Sequence, residues 1–247
     1  TREDAQARLA ARMGELPPTP ETGFVGRSRE LLALQRLLRT ERYAVVRGQG
    51  GEGKTALAAE FACWMVRSQQ VRRAAFVSVE LYGNLRAVVD SLGHQLVGKG
   101  FSAAGELEDA IKGVERALRE QETLLVVDNM ESILLPPFMK EETPEALTED
   151  ARRELDTILA LCERLLKAGE TRIVFTSREA LPAPFEAVRN RRELHRLSKE
   201  DAVKLVERVL NAAGGDGGTS AETREEIEAL VESVNGHART LALLAPS

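Results

Sequence analysis

The chain has 247 residues, 43% hydrophobic and 30% charged, enough for one large α/β unit or two smaller ones with a sizeable core. Its formal charge of −5 gives no general electrostatic pull toward nucleic acid or anionic lipid. No apolar run approaches the roughly 20 residues of a membrane span, and no signal-peptide pattern opens the chain.

A reducing, cytoplasmic setting is therefore the expectation. The two cysteines, Cys63 and Cys162, lie far apart in helix-patterned segments and read as buried small apolar residues. The chain opens at a Thr and ends in the apolar helical pattern "LALLAPS", which reads as a piece cut from a longer protein. No internal repeat is evident.

Residues 4–13 are a short helical candidate, followed by the Pro-rich "GELPPTPETG", so 1–22 reads as an N-terminal helix and linker. "SRELLALQRLL" (28–38) places Leu at helical spacing behind a Ser N-cap candidate. Then strands and helices alternate. "YAVVRG" is a buried strand and "KTALAAEFACWMVRS" a helix, in which Phe61 and Trp64 pack onto the sheet. "AAFVSVE" is a strand, and "NLRAVVDSLGHQLVG" and "GELEDAIKGVERALREQ" are helices. "TLLVVD" is a strand, "EDARRELDTILALCERLLKAG" a long helix, "RIVFTS" a strand, and "RELHRL" a short final one. The alternation predicts an α/β fold, a parallel sheet with helices on both faces. Between strand and long helix, 129–150 is an acidic, Pro-containing loop, long for a compact unit. From Ser198 the pattern is all helical, which places a boundary between an α/β unit, 23–197, and a small helical lid, 198–247, itself truncated.

"GQGGEGKT", Gly48–Thr55, matches G-x-x-x-x-G-K-[ST] between a predicted strand and a predicted helix. Gly48, Gly50, Gly51 and Gly53 let backbone N–H groups, with that of Glu52, turn inward around phosphate. Lys54 can reach the β- and γ-phosphates, and the Thr55 hydroxyl can ligate Mg²⁺. Asp128, at the end of an apolar strand, is the second Mg²⁺ contact, through a water. "RIVFTSRE" ends its strand with Arg178, which a neighbouring strand would bring to the same sheet edge to sense a γ-phosphate. In "GFVGRSRE", the glycines around Phe24 and Val25 let backbone approach a base, and Arg27 can stack or hydrogen-bond beside it. His94 and His195 have no paired acid or nucleophile and read as surface or half-buried residues.

Taken in this order, the pieces resemble the STAND class of P-loop NTPases, signal-transduction ATPases related to the AAA+ group that include the NB-ARC domains. "FVGRSRE" looks like the class's Gly-Arg-x-x-Glu signature and "GQGGEGKTALA" its phosphate loop. "LLVVDN" is similar to its metal-binding strand, "VFTSR" to its sensor, and "NGHARTLALLA" to its late helix start. The resemblance implies an ATP/ADP site between core and lid, with Phe24, Val25, Gly26 and Arg27 along the adenine. Gly48–Ala56 would surround the phosphates, Thr55 and Asp128 would hold Mg²⁺, Arg178 would be the sensor, and Gly236, His237 and Ala238 would contribute from the lid. It implies a switch resting on ADP, with exchange for ATP opening the lid and permitting self-assembly, in a chain with flanking effector and sensor domains.

Two departures matter. Ala238 stands where the class has Pro, which weakens the lid's contact with the base. Asn129 stands where many members carry a second acid; it can orient water but cannot serve as a carboxylate base. Glu131 can substitute if the strand end turns it inward. Losing a general base costs on the order of 10²–10⁴ in rate, so slow or conditional ATP hydrolysis is expected. The competing expectations are a hydrolysis-deficient scaffold or interaction module locked on nucleotide, an AAA+-like ATPase working on DNA, and, more distantly, a small-molecule kinase.

Overall fold

The computed structural model describes residues 7, 9–18, 23–80, 83–134, 144–212, 221–234, 238 and 240–241. Helix α1 (Ser28–Thr40) leads into β1 (Tyr43–Arg47), α2 (Lys54–Arg67) and β2 (Arg73–Ser78). Next come α3 (Leu85–Leu96), α4 (Leu107–Glu120), β3 (Thr123–Asp128), the short α5 (Glu131–Leu134) and α6 (Pro144–Leu166). Then β4 (Arg172–Ser177), a 3-10 turn (Val188–Asn190) and β5 (Arg191–Glu193) complete the sheet, and α7 (Lys199–Ala212) and α8 (Ala221–Ser233) follow. The strands form one parallel sheet in the order β2-β3-β4-β1-β5.

The period of two along each strand divides the core. Leu125 and Val127 of β3, with Ala75 and Val77 of β2 and Ile173 and Phe175 of β4, face one layer that takes in Leu92, Val114, Leu118, Ile158 and Leu159. Leu124 and Val126, with Ala74, Phe76 and Val174, face the other layer with Leu34, Leu38, Leu57 and Phe61. A strand buried on both faces needs apolar residues throughout, which is why "TLLVVD" is a continuous run rather than an alternation. In α2, Phe61 is fully buried and meets the half-buried Trp64 edge-on at 6.0 Å. Cys63 and Cys162 are both buried free thiols. Ala202, Val206, Val209, Ile227, Val231 and Leu241 make a separate apolar cluster within the C-terminal helices.

Several element bounds differ from expectation. The last strand is Arg191–Glu193, not 192–197, because its partner β1 ends at Arg47; Leu194 N–H adds one more bond to the Arg47 carbonyl at 2.6 Å and the ladder stops. The expected loop 129–150 is interrupted on both sides, by α5 and by α6 beginning at Pro144, so only 135–143 lie outside the described residues. Helix α1 starts at Ser28 with Arg27 as its N-cap, and no side chain caps it. Residues 7, 9 and 10 are helical, and just after them the Arg12 carbonyl accepts from Ala74 N–H of β2 at 2.8 Å. Among the described residues no helix is long and apolar enough to cross a membrane.

Candidate functional site

Ligands of open α/β sheets bind outside the carboxyl ends of the strands, and here β1, β3 and β4 deliver their following residues to one cavity of about 500 Å³. The phosphate loop follows β1. Gly51 and Gly53 hold φ of 79° and 87°, and Gly53 is the N-cap of α2 without side-chain capping, so the helix's first N–H groups face the loop's interior. That arrangement suits an anion. Gly50, Gly51, Glu52, Gly53, Lys54, Thr55 and Ala56 all line the cavity.

Lys54 Nζ donates to the carbonyls of Gly48 and Gln49 at 2.9 and 3.1 Å and lies 3.9 Å from Glu131 Oε1. Burial lowers its ammonium pKa below the ordinary lysine value; Glu131 opposes that shift and Arg178 adds to it. Gly48 stands behind the cavity, where an added Cβ would strike Glu52 Oε2 at 2.5 Å and the Leu194 carbonyl at 2.7 Å. The same Glu52 oxygen accepts from Gln49 N–H at 2.7 Å, holding the loop closed on itself.

Strands β3 and β4 supply the acid and its supports. Thr55 Oγ1 donates to Asp128 Oδ1 and Oδ2 at 2.9 and 3.1 Å, and Thr176 Oγ1 donates to Oδ1 at 2.5 Å. Thr176 Oγ1 in turn accepts from Asn129 N–H at 2.9 Å. Burial pushes the Asp128 carboxyl up, and the hydrogen bonds from Thr176 and Thr55 pull it back. A hydroxyl and a carboxylate side by side fit Mg²⁺, which takes few protein oxygens and completes its shell with water and phosphate. When bound there, the ion would be held by Thr55 and Asp128 and would neutralise phosphate charge.

Arg178 Nε donates to Glu131 Oε1 at 3.1 Å, and the guanidinium lies 3.1 Å from where a Cβ on Gly50 would be. Glu131 opens α5 with only 8% exposure, its Oε2 without a hydrogen-bond partner. The strand end thus turns Glu131 inward, where it gathers Lys54 and Arg178.

Phe24, Val25 and Arg27 line the cavity. Arg27 donates from its guanidinium to the Glu52 and His195 carbonyls and to Glu30 Oε1. It fastens the phosphate loop to the segment after β5. Gly26 does not border the cavity among the described residues; a Cβ there would meet Asp201 of α7 at 2.8 Å. From the helical end, Leu205 and Ala238 reach the cavity wall, with Leu197 just before α7; Gly236 and His237 lie outside the described residues. Glu80, after β2, also borders the cavity, and the residue pattern gave it no distinguishing mark.

No family model matches the sequence, and no curated protein matches it. Solved structures do. A signal-transduction ATPase with numerous domains and a tetratricopeptide repeat sensor, from Pyrococcus horikoshii, is similar over 95% of this chain and 31% of its own, at 21% identity and TM-score 0.58. A Walker-type ATPase of Pyrococcus abyssi is similar over 94% of this chain and 70% of its own, at 15% identity and TM-score 0.61. The chain shares the fold of these P-loop ATPases. A Drosophila ORC structure bound to DNA shares that fold at 18% identity and TM-score 0.63, over 98% of this chain and 58% of its own. The chain spans about a third of the length of the archaeal STAND protein, 31%.

Proposed function

We propose that this chain is the nucleotide-handling core of a regulatory ATPase of the STAND type, working as a switch. It binds ADP or ATP with Mg²⁺, hydrolyses ATP slowly or conditionally, and couples exchange to opening of a helical lid, 198–247, against an α/β unit, 23–197. ATP-bound chains then self-assemble, under the control of flanking effector and sensor domains. One observation carries this reading: the phosphate loop, the Thr55–Asp128 pair and the helical residues Leu205 and Ala238 border the same cavity. A ligand shifts a two-state equilibrium only through differential contacts, and a nucleotide in this cavity touches both parts.

In the reaction, Lys54 and Arg178 would exchange their present partners, the loop carbonyls and Glu131, for phosphate oxygens. Asp128, oriented by Thr176, would hold Mg²⁺ with Thr55. Asn129 in place of a second acid also supports a variant of this reading in which nucleotide is held with little turnover. The deciding experiment identifies the nucleotide released when the purified protein is denatured and measures ATP and ADP affinity for wild type and Lys54→Ala. Retained ADP and loss of binding in K54A are expected. A protein that retains no nucleotide and binds ATP equally with and without Lys54 overturns the proposal.

A further inference from the structure

The second acid absent from the chain position after Asp128 is present in space. Strands β2 and β3 pair with Ser78 opposite Asp128, and Val79 N–H extends the ladder to the Asp128 carbonyl at 2.9 Å. Parallel neighbours lie about 4.8 Å apart, so the chain leaving β2 emerges beside the chain leaving β3. Asn129 has φ 63°, a left-handed conformation that asparagine tolerates better than most residues. From that turn its amide Nδ2 donates to Glu80 Oε2 at 2.6 Å. Glu80 and Asn129 both border the cavity beside Lys54, Thr55, Asp128 and Arg178.

We propose that Glu80 is the catalytic carboxylate that orients and deprotonates the attacking water, and that Asn129 is its positioning residue; this rests on the ATPase reading above. The roles of the two strand ends are exchanged: β3 supplies the amide, and β2 supplies the acid. An amide donating to one carboxylate oxygen fixes the plane of the group, and a carboxylate keeps several acceptor sites for water. Among the cavity's other acids, Glu131 is differently engaged. Its Oε1 accepts from Arg178 and lies near Lys54, so it organises the cations that receive phosphate. The step balances simply. The water oxygen forms a bond to the γ-phosphorus, and its proton passes to the Glu80 carboxylate. The bond from γ-phosphorus to the bridging oxygen breaks with its electron pair leaving on ADP. Glu80, exposed at the strand end, then returns the proton to solvent.

The test uses the full chain, with Mg·ATP affinity by titration and single-turnover phosphate release measured on wild type, Glu80→Gln, Glu80→Ala, Asn129→Ala, Glu131→Gln and Lys54→Ala. Expected is a loss of phosphate release of about 10²-fold or more in E80Q, with Mg·ATP affinity unchanged. N129A should lose less, and added formate should restore part of the rate in E80A, which a merely structural role would not permit. Wild-type release in E80Q, or release abolished only in E131Q, overturns the assignment to Glu80. ATP binding without any release by wild type overturns it as well, leaving the nucleotide switch standing. Lys54-independent affinity instead overturns the nucleotide reading itself, so the two failures are distinct.

Discussion

Asp128 is fixed by a relay of short contacts: Thr55 and Thr176 donate to its carboxylate, and Thr176 accepts from Asn129 N–H. Thr176 is almost fully buried, so Thr176→Val preserves shape while removing both bonds. Supporting groups of this kind typically tune metal affinity by about 10–100-fold. T176V should therefore raise the Mg²⁺ concentration needed for ATP binding by about that factor, read from an Mg²⁺ titration; an unchanged midpoint would show that Thr176 does not orient the acid. Arg178 makes a different prediction. An arginine that meets only a γ-phosphate contributes to ATP and not to ADP binding, and a charge-assisted bond is worth about 1.5–3 kcal/mol. Arg178→Ala should cut the ATP-over-ADP preference by about tenfold or more while leaving ADP affinity alone, as competition titrations would show. The glycine-lysine-threonine spacing, Asp128 and Arg178 were legible because each is tied to an adjacent strand or helix. Glu80 was not, since its place depends on the β2–β3 register, and Arg27's carbonyl partners, Glu52 and His195, are distant in sequence.

At the scale of elements, β2 is a sheet edge, and edges invite further pairing. Here Gln95 of α3 closes it: Oε1 accepts from Phe76 N–H and Glu15 N–H, both at 2.9 Å, and Nε2 donates to the Phe76 carbonyl at 2.7 Å. Gln95→Ala strands these groups, and each unsatisfied one costs about 1–3 kcal/mol when buried. Q95A should lower the denaturation midpoint and increase self-association at raised concentration, measured by denaturant unfolding and light scattering. Helices α4 and α6 are joined by Arg164, which donates to Glu115 at 2.7 and 3.1 Å and to Glu108 at 2.7 and 2.8 Å. Arg164's hydrogen bonds hold the Glu115 carboxyl below its ordinary range. A carboxyl lowered in the folded state stabilises fully above its unfolded pKa and loses that contribution as pH falls through the folded one. Arg164→Ala should thus flatten the acid side of the stability–pH curve, with most of its cost at neutral pH gone in acid. Strands and helices were readable in order from their periodicity. The end of β5 was not, because it is set by where β1 gives way to the phosphate loop, a property of the partner strand.

For the whole molecule, the question is how the cavity reaches the helical end. Specific contacts among the described residues lead there. Arg208 Nη1 donates to Phe24 carbonyl at 3.4 Å, and Gly26 packs against Asp201, whose N–H donates to Ser198 Oγ at 3.2 Å as α7 begins. Gly26 holds φ 69°, and an added Cβ would stand 2.8 Å from the Asp201 carboxylate carbon and 3.0 Å from its Cβ, atoms too near the backbone to move freely. Gly26→Ala therefore combines left-handed strain of about 1–2 kcal/mol with a displaced α7, while leaving Lys54, Thr55 and Asp128 untouched. If nucleotide links the two parts, G26A should keep its phosphate contacts yet lose the coupling. Hydrogen exchange in α7 should become fast and nearly independent of ADP, whereas in wild type ADP slows it. The thermal gain from saturating ADP, about 2.7 kcal/mol at a hundred times Kd, should also shrink. Equal ADP protection of α7 in both proteins would mean that the helices respond to nucleotide by a route other than the Gly26–Asp201 contact.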